Sequence, residues 1–351
     1  MNTLERYDAL VSGYLRMARR NNLTETTVQN YNAVLRHFRD HLQSVSEQDK
    51  MENGYVGYSD VQAWIDALTD RGTKPTTIKQ YLVSLGQFFS YATKPYIPDE
   101  LRYEQSPVSP DFYPKIIPEQ IPEILADEQI MELWRYERRY GASEGQFARN
   151  YAIVTLILCT GLRNKEVLDL RLSDLDFRYR EITVTCGKGR KSRVVDMPDL
   201  CAAAIENYLN SGERPSMLPD NDYLFGTTAA HEFGIAASKK GAEKWHRGSS
   251  AWLSGLIERH VEHQTGVPSV RSHDLRHLFA RISLNATGNL AELQGAMGHA
   301  SPLVTERYSG RLMQRRRRDS ARAVLASRDA AAEQMKKRLS VAEQRVIALP
   351  A

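Results

Sequence analysis

Thr160-Gly161-Leu162-Arg163-Asn164-Lys165-Glu166-Val167 is the stretch on which the fold turns. It follows the strongly apolar residues 151–159, which read as a buried helix. It then places an arginine and, three residues on, a glutamate near the start of a second apolar-periodic helix. Downstream the texture becomes β-rich. Glu181-Ile182-Thr183-Val184-Thr185 and Arg193-Val194-Val195 flank Gly187-Lys188-Gly189, the signature of a hairpin, and helical patterning then dominates to the end. The expected architecture is mainly α with a small β-sheet.

Working upstream, the first 95 residues read as helices with an internal echo. Thr26-Thr27-Val28 with Tyr31, Leu35 and Phe38 is matched fifty residues later by Thr76-Thr77-Ile78 with Tyr81, Leu85 and Phe88. In each copy a Thr pair suited to capping precedes apolar residues three to four apart, the stripe of a packed amphipathic helix. Two copies make a small bundle rather than a solenoid. Residues 95–122 are punctuated by Pro95, Pro98, Pro107, Pro110, Pro114, Pro118 and Pro122, which reads as an extended linker. The expected organisation is a helical domain over 1–95, a linker over 96–123, a larger α+β domain over 124–318 and a helical tail over 319–351.

A chain of 351 residues exceeds one ordinary core, so two domains of unequal size are the natural expectation. No apolar run is long enough to cross a bilayer. The opening Met1-Asn2-Thr3-Leu4-Glu5-Arg6 lacks the basic-then-apolar pattern of a secretory leader, so no membrane association and a cytoplasmic location are expected. Three cysteines, Cys159, Cys186 and Cys201, show no C-x-x-C spacing and read as buried thiols. A net charge of +4 tolerates a nucleic-acid partner without proving one, so local clusters must carry that argument. There is no Walker A loop, no H-E-x-x-H and no evident acidic metal cluster, and neither cofactor nor metal is expected.

Five short signals stand in order: Arg163 with Glu166, the hairpin Gly187-Lys188-Gly189-Arg190-Lys191, His273-Asp274-Leu275-Arg276-His277, Gly298-His299, and Tyr308 nine residues after that histidine. Each alone is weak, and five in register are strong. In this order and spacing the chain resembles the phage-integrase family of tyrosine recombinases, along nearly its whole length. Met297 departs from the family pattern, standing where a leucine often precedes the Gly-His pair, a volume-similar change.

The resemblance implies a helical N-terminal DNA-binding domain, a catalytic domain, and cleavage and rejoining of DNA through a 3′-phosphotyrosyl intermediate and a Holliday junction. Double-stranded DNA with specific recombination sites, a homotetramer on two duplexes, and accessory proteins that set direction are the partners it implies. Arg163 and Arg276 would meet the charge that develops on the phosphate oxygens with bidentate hydrogen bonds. Lys188 would protonate the departing 5′-oxygen as general acid. His273 and His299 would hydrogen-bond the phosphate, with His273 also able to take the tyrosine proton. Tyr308 would be the nucleophile. Glu166 is expected to orient a neighbouring group, and Arg190, Lys191 and Arg193 to form a basic edge against DNA phosphates. Two alternatives remain beside this reading: strand cleavage and religation of the type IB topoisomerase kind, and a non-catalytic DNA-binding regulator on the same fold. The tail could dock on a neighbouring protomer or remain a solvated helix.

Overall fold

The computed structural model describes residues 1–46, 54–116, 124–185, 192–215, 222–228, 245–298 and 315–347. It divides into two compact units, Met1–Glu119 and Gln120–Ala351.

The first unit is built on α1 (Thr3–Arg20), α2 (Glu25–Ser46), α3 (Tyr58–Asp70) and α4 (Pro75–Ala92). The echo seen in the sequence is the pair α2 and α4, which pack on each other. Leu35 and Phe38 of one, and Ile78, Leu85 and Phe88 of the other, are buried in one core, and Val28 is buried too. The Thr pairs lie inside the first turn rather than at the caps. Thr24 Oγ accepts from the Thr27 N–H at 3.2 Å to start α2, and α4 starts with Pro75, whose fixed φ suits a first helical position. The proline-punctuated stretch is not an open spacer as far as residue 116. Ile97, Tyr103 and Phe112 are buried in the first core, and the Val56 N–H donates to the Tyr103 hydroxyl at 3.0 Å. Aromatic side chains set between prolines give that segment enough apolar surface to fold back.

The second unit is organised around α6 (Glu144–Thr160), buried on every side from Phe147 onward, as the strongly apolar sequence over 151–159 leads one to expect. Around it lie α8 (Asp199–Asn210), α9 (Ser250–Thr265) and α10 (Ser272–Thr287), and α5 (Asp127–Leu133) packs on α9. A short α7 (Asn164–Asp169) follows α6. Strands β1 (Leu175–Asp176), β2 (Glu181–Val184) and β3 (Arg193–Asp196) form an antiparallel sheet in that order, with Ile182 opposite Val195 and Val184 opposite Arg193. A second antiparallel pair joins β4 (Gly226–Thr228) to β5 (Trp245–Arg247). Cys159 and Cys201 are buried free thiols, burial pushing the first up to about 12; Cys186 lies outside the described residues.

After α11 (Leu290–Met297), the long α12 (Arg315–Ile347) closes the unit. It packs on α5, α8 and α10 of its own chain, with Val324, Ala332 and Met335 in the main core. Lys336 pairs with Asp199 at 2.8 Å and Arg338 with Glu144 at 2.7 Å. The tail that could have reached a neighbour or stayed solvated is therefore spent on its own domain through Leu339, because its apolar positions recur at helical spacing and meet a matching groove. Among the described residues no helix is long and apolar enough to cross a membrane.

Candidate active site

The start of the site is a helix-to-helix corner. Helix α6 ends at Gly161, whose φ of 64° is left-handed, and a Cβ there would collide with the Phe279 ring. Two residues later Arg163 is the N-cap of α7. Its N–H donates to Glu166 Oε2 at 2.8 Å, so Glu166 reaches back one turn to cap its own helix. The Arg163 guanidinium also donates to Glu166, Nη1 to Oε1 at 3.0 Å.

Glu166 serves a second arginine. Arg193, the first residue of β3, donates Nη1 and Nη2 to the two carboxylate oxygens at 2.8 and 2.9 Å. Burial alone would raise the Glu166 carboxyl. The hydrogen bonds from Arg193 and from the Arg163 N–H, with the charges of both arginines, outweigh it and hold the group at about 2.

Helix α10 carries His273 in its first turn and Arg276 three positions on. Arg276 is 1% exposed, deep enough that its charge must be met by fixed acceptors. Nη1 donates to the Gly161 carbonyl and Nη2 to the Met297 carbonyl, the latter at 2.8 Å. The His273 ring lies at the surface, edge-to-face with His277 at 4.5 Å. Partial burial and the positive charges of Arg276 and Arg163, opposed by Asp274, lower its basicity, which favours the neutral imidazole.

The elements converge on the end of α11. That helix stops at Gly298, φ 58°, where the last carbonyls of a helix lack intrahelical donors and carry partial negative charge. Three consecutive carbonyls there are met by three different arginines. Ala296 O accepts from Arg193 Nε at 3.1 Å, Met297 O from Arg276 at 2.8 Å, and Gly298 O from Arg163 Nη2 at 3.0 Å. Segments more than a hundred positions apart are thus gathered at the residue immediately before His299.

Of the residues singled out from the sequence, Arg163, Glu166, Arg193 and Arg276 come together here, and the His273 imidazole feels the charges of Arg163 and Arg276. Lys188, Arg190, Lys191, His299 and Tyr308 lie outside the described residues. Arg193 was expected on an edge facing DNA phosphates, yet its side chain is 13% exposed and its guanidinium is turned inward onto Glu166. Strand alternation carried that signal, since Arg193 shares a face with the buried Val195. The role of the α11 terminus had no signal beyond the glycine that ends it. Among the described residues no group of three or more His, Cys, Asp or Glu is placed to hold a metal ion.

Comparison with known proteins fits this geometry. The phage integrase family matches residues 123–315, a span that holds every arginine of the cluster and the corner at Gly161. The chain belongs to the phage integrase family. Its first unit matches the phage integrase N-terminal SAM-like domain over residues 11–95. As a family member it is a tyrosine recombinase, an enzyme that cleaves and rejoins DNA strands. The chain is similar to the tyrosine recombinase XerC of Staphylococcus epidermidis, 25% identical over 294 residues, which are 82% of this chain and 87% of that protein. XerC of Staphylococcus aureus is 25% identical over 291 residues, with the same shares covered. Among solved structures, the XerH site-specific recombinase bound to its difH substrate superposes with a TM-score of 0.64 at 21% identity, over 86% of this chain and 81% of that one. A lambda integrase dimer bound to a COC′ core site gives 0.59 at 15%, over 85% and 96%. These two likenesses show that this integrase-family chain shares their fold.

Proposed function

We propose that this recombinase acts on specific DNA sites by attack of the Tyr308 hydroxyl on phosphorus. A 3′-phosphotyrosine forms, the bond to the 5′-oxygen breaks, and that oxygen leaves with a proton from Lys188. The tyrosine proton passes to His273, whose lowered basicity keeps it neutral and able to accept. Arg163 and Arg276, with His273 and His299, hold the phosphate oxygens as charge builds on them. The free 5′-hydroxyl then attacks a partner strand's phosphotyrosine, and two such rounds pass through a Holliday junction. One nucleophile per strand calls for a tetramer on two duplexes, with accessory proteins setting direction where the element needs them. The cytoplasm, where DNA is accessible, is the proposed location. The convergence of Arg163 and Arg276 on the two carbonyls that lead into His299 carries this reading, because permanently charged forks are the groups best matched to a five-coordinate phosphorus.

The test is a suicide substrate nicked beside the crossover, followed by peptide mapping. A covalent adduct on Tyr308, lost in Tyr308→Phe while DNA binding persists, is expected. An adduct on another tyrosine, or one that survives in Tyr308→Phe, overturns the assignment.

A further inference from the structure

We infer that Arg193 is a positioning residue for strand cleavage: it neutralises Glu166 and fixes the end of α11, so that Arg163 keeps its charge and orientation for phosphate. This rests on the proposed roles of Arg163 and Tyr308. Glu166 and Arg163 alone would be a neutral pair, with the carboxylate drawing Arg163 onto itself. Arg193 supplies the second cation. With both arginines on one carboxylate the group is net positive, and the bidentate bond to Arg193 satisfies Glu166 without consuming more of Arg163.

The rest of the guanidinium supports the same assignment. Nε holds the Ala296 carbonyl at 3.1 Å, and the group lies flush against Gly298, where an added Cβ would sit 3.0 Å from Arg193 Cζ. The left-handed Gly298 and the arginine beside it therefore fix one another. Arg193 stands five positions after Lys188, and Gly298 stands directly before His299. One buried side chain thus ties the base of the hairpin, the helix start that holds Arg163 and the helix end. A phosphate contact would need those N–H groups outside, and three of them point in.

Arg193→Lys separates the two roles, since it keeps the charge and loses the planar fork. Saturating single-turnover cleavage should fall by about tenfold or more, as for loss of a group that acts in the transition state. The dissociation constant for DNA and its salt slope should stay near wild type. Hydrogen exchange across residues 290–298 of the DNA-free protein should rise, a readout that needs no catalysis. Glu166→Gln with Arg193→Met, which removes the charge pair together, should lose no more activity than Glu166→Gln alone, because the two act as one unit.

Cleavage by Arg193→Lys within twofold of wild type would overturn the inference. So would a salt slope reduced by about 0.9 in Arg193→Met, which removes the charge and would mark one lost phosphate contact, unchanged exchange over 290–298 in Arg193→Lys, or additive losses in the double variant. Should wild type form no adduct at Tyr308, the proposed chemistry fails, and the exchange measurement still decides whether Arg193 anchors the helix end.

Discussion

His260 is fully buried at the other end of the central helix from the site, its Nδ1 3.0 Å from the Tyr140 hydroxyl. That hydroxyl also accepts from Asn150 Nδ2 at 3.0 Å. Burial, with a smaller push from His263, holds the imidazole down at about 3. An unfolded histidine titrates near 6.5, so below that pH the unfolded chain binds a proton that the folded chain refuses. This stability is complete above about pH 6.5 and is lost as pH falls toward 3; between pH 6.5 and 5 the loss should be about 2 kcal/mol. Glu166 adds an acid loss of the same sign in a lower window, from its ordinary 4.5 down to about 2. Urea unfolding across pH 7 to 5 should show the decline in wild type and a shallower one in His260→Gln; equal slopes in the two proteins would remove His260 from the explanation. At this scale Arg163 and Arg276 were legible because their chemistry travels with short motifs. Strand alternation signalled the inward turn of Arg193 but not its partners, since Glu166 and Ala296 lie 27 and 103 positions away and only folding brings them near.

Helix α12 is an element whose form was legible and whose destination was not. Alanine-rich, charged sequence at helical spacing specifies a helix, but a stripe of small residues such as Ala321 and Ala332 fits many grooves. The groove that takes it is made by α5, α8 and α10, far away in sequence. Its N-terminal end is tied as well: Ser320 bonds to Asp127, which also accepts from Arg281 of α10 at 3.1 Å. Val324→Ala with Met335→Ala should therefore destabilise the second unit by about 2 to 5 kcal/mol, the range for truncating buried aliphatic side chains. The unfolding midpoint should not depend on protein concentration, because the docking is within one chain. An unchanged midpoint would show that the helix adds nothing to its own domain, and a concentration-dependent one would place it on a neighbour. The buried helix over 151–159 and the α2 and α4 repeat were read from periodicity alone, whereas the fold-back of residues 96–116 was hidden by prolines that usually mark open chain.

Each of the two units has its own core, so at the scale of the molecule the labour is separable. The piece from residue 120 onward should still form the covalent adduct while binding DNA more weakly and choosing sites less well, measured by cleavage of specific against scrambled duplex. Undiminished preference would assign the first unit another task. Intact protein should bind less tightly as salt rises, log K falling with log salt by about 0.9 for each phosphate neutralised, and a nearly flat line would count against phosphate contacts. The three carbonyls that end α11 bear on what such binding releases as heat. Arg163 and Arg276, the two proposed to hold phosphate, already rest on backbone oxygens before any duplex arrives. A phosphate oxygen that takes one of those donors does so by exchange with the oxygen already there, much as one ligand replaces another on a metal. Calorimetry on the arginine cluster should then register little enthalpy from those bonds, and the force that seats the DNA there is the entropy of the ions it sheds.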